Sequence, residues 1–182
     1  MPRLFVAVDL PDGIKAAVAA LCHGLPGVRW LKPDHLHLTI RFIGEIDEMV
    51  FAAIRHGLTG EGLEAFACHL EGVGCFPPKG RPKVLWTGVH AEAGLIKLQA
   101  KVESDLQRIG LPPEEKKFVP HITLARPKDL KQAELANYMN THNQFQTSPF
   151  SVQNFHLYSS VLTAKGAIHT LEHSYLLPAL TG

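Results

Sequence analysis

A His-x-Thr triplet followed by an apolar residue occurs twice in the chain. It lies once inside HLHLTIRFIGE (residues 35–45) and again inside HITLARPKD (121–129), with His37 and His121 84 residues apart. Both copies sit in the alternation of polar and apolar residues that marks a half-buried strand. Side chains at i and i+2 of a strand project together, so His37 pairs with Thr39 and His121 with Thr123. Leu36, Leu38, Ile40 and Phe42, and on the second strand Ile122 and Leu124, then face the other way and must be covered by a core. Such a chain has to build two sheets, each offering an imidazole beside a hydroxyl.

The elements after each triplet come in the same order. The strand around LHLTIRF leads to helical spacing near 47–58 and to strands near 66–74 and 83–89. The strand HITLA leads to weaker helical spacing at 130–139 and to strands near 149–159 and 167–177. A further strand is expected at 3–10, and further helices over Ile14, Val18 and Leu21 and over Leu95 to Ile109. Asp12 and Asp47 stand at helix-cap positions, and residues 77–83 and 110–117 read as exposed loops. The expected fold is α+β: one domain spanning 1–182, made of two interleaved lobes of mainly antiparallel sheet. An approximate twofold relates the lobes, and a groove between them carries one motif strand from each.

The chain's 182 residues are enough to bury ~70% of the surface exposed on unfolding. A formal net charge of +1 gives no general attraction to duplex nucleic acid or to a membrane, so an anionic substrate has to be held locally. The start, MPRLFVAVDLPDG, lacks the pattern of a signal peptide, and no run approaches the ~18 apolar residues of a membrane span. Three cysteines, Cys22, Cys68 and Cys75, with no C-x-x-C pair fit reduced thiols. A cytoplasmic protein, monomeric and without a membrane partner, is the expectation.

Imidazole exchanges a proton near neutral pH, and two imidazoles make an acid and a base. Opening a cyclic phosphodiester with water needs one group to take the proton of the water and another, across the phosphorus, to protonate the departing sugar oxygen. Neither step requires a cofactor or a metal. Threonine hydroxyls can donate to the non-bridging oxygens, where charge accumulates. Arg41 has the parity to join His37 and Thr39, whereas Arg126 has the wrong parity to join His121 and Thr123 unless a strand end or bulge intervenes. Phe42 and Phe118 flank the motifs and could stack on a base, although the parity of Phe42 is that of the core residues Leu38 and Ile40. Trp86 reads as packing.

RLFVAVDLP, LHLTIRFIGEI, VLWTGV, LIKLQAKVESDLQRIG, FVPHITLAR and FHLYSSVLTAKG, in that order along the chain, resemble segments of the two-histidine phosphoesterases. Within that superfamily they resemble the RNA 2′,3′-cyclic phosphodiesterases, also described as 2′-5′ RNA ligases. The resemblance implies a bilobal fold with both motifs lining a central groove, and RNA ends bearing a 2′,3′-cyclic phosphate as substrate, opened to a 2′-phosphate. It also implies that His37 protonates the leaving 3′ oxygen, that His121 activates water, and that Thr39 and Thr123 bind phosphate. Arg126 would contact phosphate or the adjoining nucleotide. In the last strand this chain has His169-Thr170 where many relatives have Tyr-Thr.

Other readings of the same residues are a zinc site from His35, His37 and His121, and a metal held by His169 and His173. Further alternatives are a catalytically silent RNA-end-binding module and a phosphodiesterase for a small cyclic nucleotide such as ADP-ribose cyclic phosphate.

Overall fold

The computed structural model describes residues 1–180; the last two residues of the expected 1–182 domain lie outside the described residues. Among the described residues, ten strands and four helices follow one another as β1 (Arg3–Asp9), α1 (Asp12–Ala19), β2 (Val28–Trp30), β3 (His37–Glu45), α2 (Glu48–Gly57), β4 (Phe66–Cys68), β5 (Leu70–Phe76) and β6 (Val84–Val89). They continue with α3 (Ala93–Ile109), β7 (His121–Pro127), α4 (Gln132–His142), β8 (Phe150–Val152), β9 (Asn154–Thr163) and β10 (Gly166–Leu176). A 3-10 turn at Pro33–His35 precedes β3.

Two four-stranded sheets, in the orders β10-β9-β1-β3 and β2-β7-β6-β5, are antiparallel throughout, and β4 and β8 form a separate ribbon. The motif strands β3 and β7 belong to different sheets and approach each other where the sheets meet. The two chain halves are interleaved. Strand β3 shares its sheet with β9 and β10 from the second half, and β7 shares its own with β5 and β6 from the first. The repeated order of elements therefore does not divide the chain into one sheet per half.

Alternation decides what each strand buries. Leu4, Val6 and Val8 of β1, Leu38 and Ile40 of β3, and Ile122 and Leu124 of β7 enter one apolar core with Phe155 and Leu157 of β9. The longest helix, α3, contributes Leu95, Leu98, Val102 and Leu106, residues spaced to lie on one stripe. It ends at Gly110, whose φ of 111° is open to glycine at little cost. Asp47 caps α2, its carboxylate accepting from the Val50 amide at 2.9 Å. Asp12 differs from expectation: Pro11 holds the cap position and Asp12 is the first helical residue, where its charge still faces the positive end of the helix.

The strand expected near 66–74 is broken at His69 into β4 and β5, because the chain leaves the ribbon with β8 to join the sheet of β6. Strand β2 has three residues and no periodicity to announce it. No helix among the described residues is long and apolar enough to cross a membrane.

Candidate active site

Backbone register determines which motif side chains meet. On β3, His37 lies opposite Asp9 and Thr39 opposite Ala7, but Arg41 lies opposite Val6, so β3 carries one extra residue at Ile40. That bulge inverts the alternation beyond it. Arg41 turns to the side of Val6, away from the groove, and Phe42, opposite Phe5, turns into it.

Two expectations are corrected as a result. Arg41 does not join His37 and Thr39. Its side chain is nearly buried, ion-paired to Glu103 of α3 at 2.8 Å, and donates to the carbonyls of Phe42 and Pro112 at 2.7 and 2.8 Å. Phe42 does not share the core face of Leu38 and Ile40. It is 63% exposed and lines the groove.

A bulge on β7 does the opposite service for Arg126. Thr123 lies opposite Trp86 and Ala125 opposite Leu85, leaving Leu124 as the extra residue. Leu124 and Ala125 are both buried, and Arg126 comes round to the face of His121 and Thr123, where it lines the groove. Phe118 is corrected in the other direction: it packs partly buried against the core and is not among the lining residues. Trp86 packs as expected, its ring beside Phe76 and lying over Gly74, where a Cβ would come within 2.3 Å of the ring.

His37, Thr39, His121 and Thr123 thus line one groove of about 530 Å³. Arg3, Arg29, Lys32, Arg126 and Lys165 also line it, and among the described lining residues none is acidic. A chain of net charge +1 concentrates five cations here.

The imidazoles are held differently. His121 Nδ1 lies 2.6 Å from the carbonyl oxygen of Val119. A carbonyl only accepts, so Nδ1 carries the hydrogen and Nε2 keeps its lone pair for a proton from elsewhere. Phe76 meets the ring edge-on at a centroid distance of 4.9 Å. Burial pulls the pKa of His121 below the ordinary value, partly offset by the Val119 hydrogen bond.

The His37 ring stacks on Phe5 at 5.0 Å and lies 6.1 Å from Tyr158. Burial is the main cause lowering its pKa to about 4, with His169 and His35 adding to the effect and Asp9 opposing it. Asp9 itself accepts from the Tyr158 hydroxyl at 2.6 Å and lies 3.3 Å from His156 Nε2.

Several of the residues around the two histidines carry no motif that marks them in the sequence. Asp9 faces His37 because β1 pairs with β3, and His156 and Tyr158 join them only because β9 lies on the other side of β1. Arg29 and Lys32 reach the groove on and beside β2, and Lys165 arrives on the β9–β10 hairpin. The basic run VRWLK just ahead of the first motif was the available signal for Arg29 and Lys32. His35 leaves the strand face: it sits on the 3-10 turn, stacked on His169 at 4.2 Å. No cluster of His35, His37 and His121 within ligand reach exists among the described residues. His169 and His173 point to different neighbours, His35 and Tyr175, across an irregularity in β10.

Two antiparallel sheets that press a His-x-Thr strand from each into one basic groove define a phosphoesterase-type site of the two-histidine class. Residues 10–163 match the 2′-5′ RNA ligase superfamily, and the chain belongs to it. It is 36% identical over 170 residues to an RNA 2′,3′-cyclic phosphodiesterase of Archaeoglobus fulgidus, covering 92% of this chain and 96% of that protein. It is 33% identical over 175 residues to one of Thermotoga maritima, covering 92% and 91%. Among solved structures, E. coli LigT complexed with 3′-AMP superposes with a TM-score of 0.78 at 26% identity, covering 97% of this chain and 99% of that one.

Proposed function

We propose that the protein is an RNA 2′,3′-cyclic phosphodiesterase that opens the cyclic end of an RNA to a 2′-phosphomonoester, with 2′-5′ ligation as the reverse reaction. The observation that carries this reading is the convergence of His37, Thr39, His121 and Thr123 in one groove lined by five cations.

In this reading the cyclic phosphate sits between the two motif strands. Thr39 and Thr123 donate to its non-bridging oxygens, and Arg126 offsets the charge that develops there. His121, with Nδ1 committed to Val119, takes the proton of the attacking water on Nε2. His37, on the other strand, protonates the departing 3′ oxygen. Before substrate binds, His37 is neutral at pH 7, since its pKa lies at about 4. A bound phosphodiester anion favours the charged imidazolium and raises that value by roughly 1–3 units, which loads the acid only when substrate is present. Phe42, exposed at the rim, offers a face on which the terminal base stacks.

Both proton transfers are assigned to side chains, so no cofactor or metal takes part in the proposed steps. The proposal includes one catalytic unit from the two interleaved lobes, acting as a monomer on RNA ends in the cytoplasm. Its three cysteines are unpaired, which suits a reducing compartment.

The test is product analysis of a short RNA with a 2′,3′-cyclic phosphate end, incubated in excess chelator with wild type, His37→Ala and His121→Ala. Wild type should yield a 2′-phosphate and each variant should lose most turnover. Thr39→Ala and Thr123→Ala should each cost about 10²-fold. Full turnover in either histidine variant overturns the mechanism.

A further inference from the structure

A second cluster of imidazoles and carboxylates lies outside the groove, where β5 and β6 leave their common sheet. The β5–β6 ladder pairs Leu70 with Val89, and the His90 amide extends it by donating to the His69 carbonyl at 3.0 Å. His69 and His90 are thereby cross-strand neighbours, and their rings stack at 4.8 Å with planes 16° apart. Glu71, two residues after His69 on β5, reaches both: its carboxylate lies 3.0 Å from His90 Nδ1 and 3.5 Å from His69 Nε2. Glu92, at the cap position of α3, stands on the far side of the rings. Its Oε1 is 3.7 Å from His69 Nδ1 and 3.9 Å from His90 Nε2.

We propose that His69, Glu71 and His90 form a binding site for a divalent cation of the zinc type, with Glu92 orienting the two imidazoles from behind. One ligand atom from each of the three residues lies within 4.8 Å of the other two. Zinc bonds to nitrogen and oxygen run at ~2.0–2.2 Å, so neighbouring ligands of a tetrahedral ion stand ~3.3–3.6 Å apart. Glu71 Oε1 stands 3.0 Å from His90 Nδ1, a hydrogen bond whose proton a metal ion would replace, and its other oxygen, Oε2, stands 3.5 Å from His69 Nε2, so the carboxylate reaches both rings at about that spacing.

The arrangement also separates ligand from support. The nitrogens nearest Glu71 are His69 Nε2 and His90 Nδ1, while the opposite nitrogens face Glu92. A carboxylate hydrogen-bonded behind a metal-bound imidazole fixes its tautomer and raises its basicity, and Glu92 Oε1, at 3.7 and 3.9 Å, has to close by about 1 Å to serve either ring in this way. Charge favours a cation as well. Protonating both stacked rings would put two positive charges about 5 Å apart, whereas one dication balances both carboxylates without that repulsion. Two nitrogens and an oxygen select zinc, copper or nickel over magnesium or calcium, which prefer oxygen alone.

Ring lone pairs lie in the ring plane, so the stacked imidazoles need one ring to turn about χ2 before both aim at a common point. His90, with about half its side chain exposed, has room to do so; His69 is held more tightly. The bound ion would cross-link the start of β5 to the turn between β6 and α3. This site is independent of the proposed phosphodiesterase activity and uses none of its residues.

The test titrates zinc ion into wild type, His90→Ala, Glu71→Gln, Glu92→Gln and His37→Ala, following heat and the side-chain NMR signals of the histidines. One site per chain is expected, with the His69 and His90 ring signals shifted and magnesium without effect. Affinity should fall by at least about tenfold in His90→Ala and Glu71→Gln, fall by about tenfold in Glu92→Gln, and stay unchanged in His37→Ala. Absence of binding to wild type, equal binding to His90→Ala and Glu71→Gln, or loss of the same site in His37→Ala overturns the proposal. If His90→Ala fails to fold, Glu71→Gln and the ring shifts decide. Phosphodiesterase turnover of His90→Ala should match wild type, so failure at this site leaves the reading of the groove standing, and failure of the groove reading leaves this site standing.

Discussion

At the scale of single residues, the two motif histidines are identical in chemistry and unlike in setting. His121 is fixed in one tautomer by a carbonyl, and His37 is sandwiched among rings with Asp9 as the nearest anion. The lowered pKa of His37 has a sign that can be followed. In the unfolded chain it takes up a proton near pH 6.5, but in the folded protein without substrate only near 4. Between those values the unfolded state binds more protons, so this residue withdraws stability as pH falls from about 6.5 toward 4. In the proposed reading a phosphate bound beside His37 reverses the preference. Binding of a 2′-phosphorylated nucleotide at pH 5–6 should therefore take up a proton, read as a dependence of the calorimetric heat on the ionisation enthalpy of the buffer. His37→Asn should abolish that uptake; an uptake that persists in the variant would locate the proton elsewhere.

At the scale of elements, two one-residue bulges separate what parity could foretell from what it could not. His37 with Thr39, and His121 with Thr123, were legible because each pair lies on one side of its bulge, within three residues of regular strand. Arg41, Phe42 and Arg126 lie beyond a bulge, and alternation assigns each of them to the wrong face. Nothing local marks either irregularity, since each answers to the strand alongside, β1 or β6, and not to the sequence of the bulged strand. The long helices were legible from their apolar stripes. The cross-over of halves between sheets was not, because strand pairing depends on partners far along the chain. The bulges also give the two arginines different tests. Arg41 ties β3 to α3 through Glu103 and holds the loop after α3 through the Pro112 carbonyl. Its replacement by alanine removes the ion-pair partner of the nearly buried Glu103, which keeps only the Glu114 amide and Gln107 as donors, and should cost about 2 kcal/mol of stability in denaturant melts with kcat/KM within a few-fold of wild type. Arg126→Ala should leave the melt unchanged and lower kcat/KM by about 10–100-fold, equivalent to ~1.4–2.7 kcal/mol of transition-state stabilisation. The opposite pattern would return Arg41 to the groove.

At the scale of the whole molecule, the distribution of charge matters more than its sum. The chain is near neutrality, yet five cations from separated parts of the sequence, Arg3, Arg29, Lys32, Arg126 and Lys165, surround one groove. In the proposed reading those cations act on the terminal phosphate and on the phosphates next to it along a strand. A longer substrate then releases more counterions on binding than a cyclic mononucleotide does. For single strands the slope of log affinity against log salt is about −0.7 per phosphate engaged, so three phosphates would weaken binding by roughly 20-fold between 50 and 200 mM salt. One phosphate would weaken it by roughly threefold. Measuring kcat/KM across that range for a cyclic mononucleotide and for a short RNA ending in the same cyclic phosphate should give a steeper slope for the RNA. Lys32→Ala and Lys165→Ala should then flatten the RNA slope and leave the mononucleotide slope in place. Equal slopes for the two substrates would confine recognition to the terminal nucleotide and make a small cyclic nucleotide sufficient as substrate.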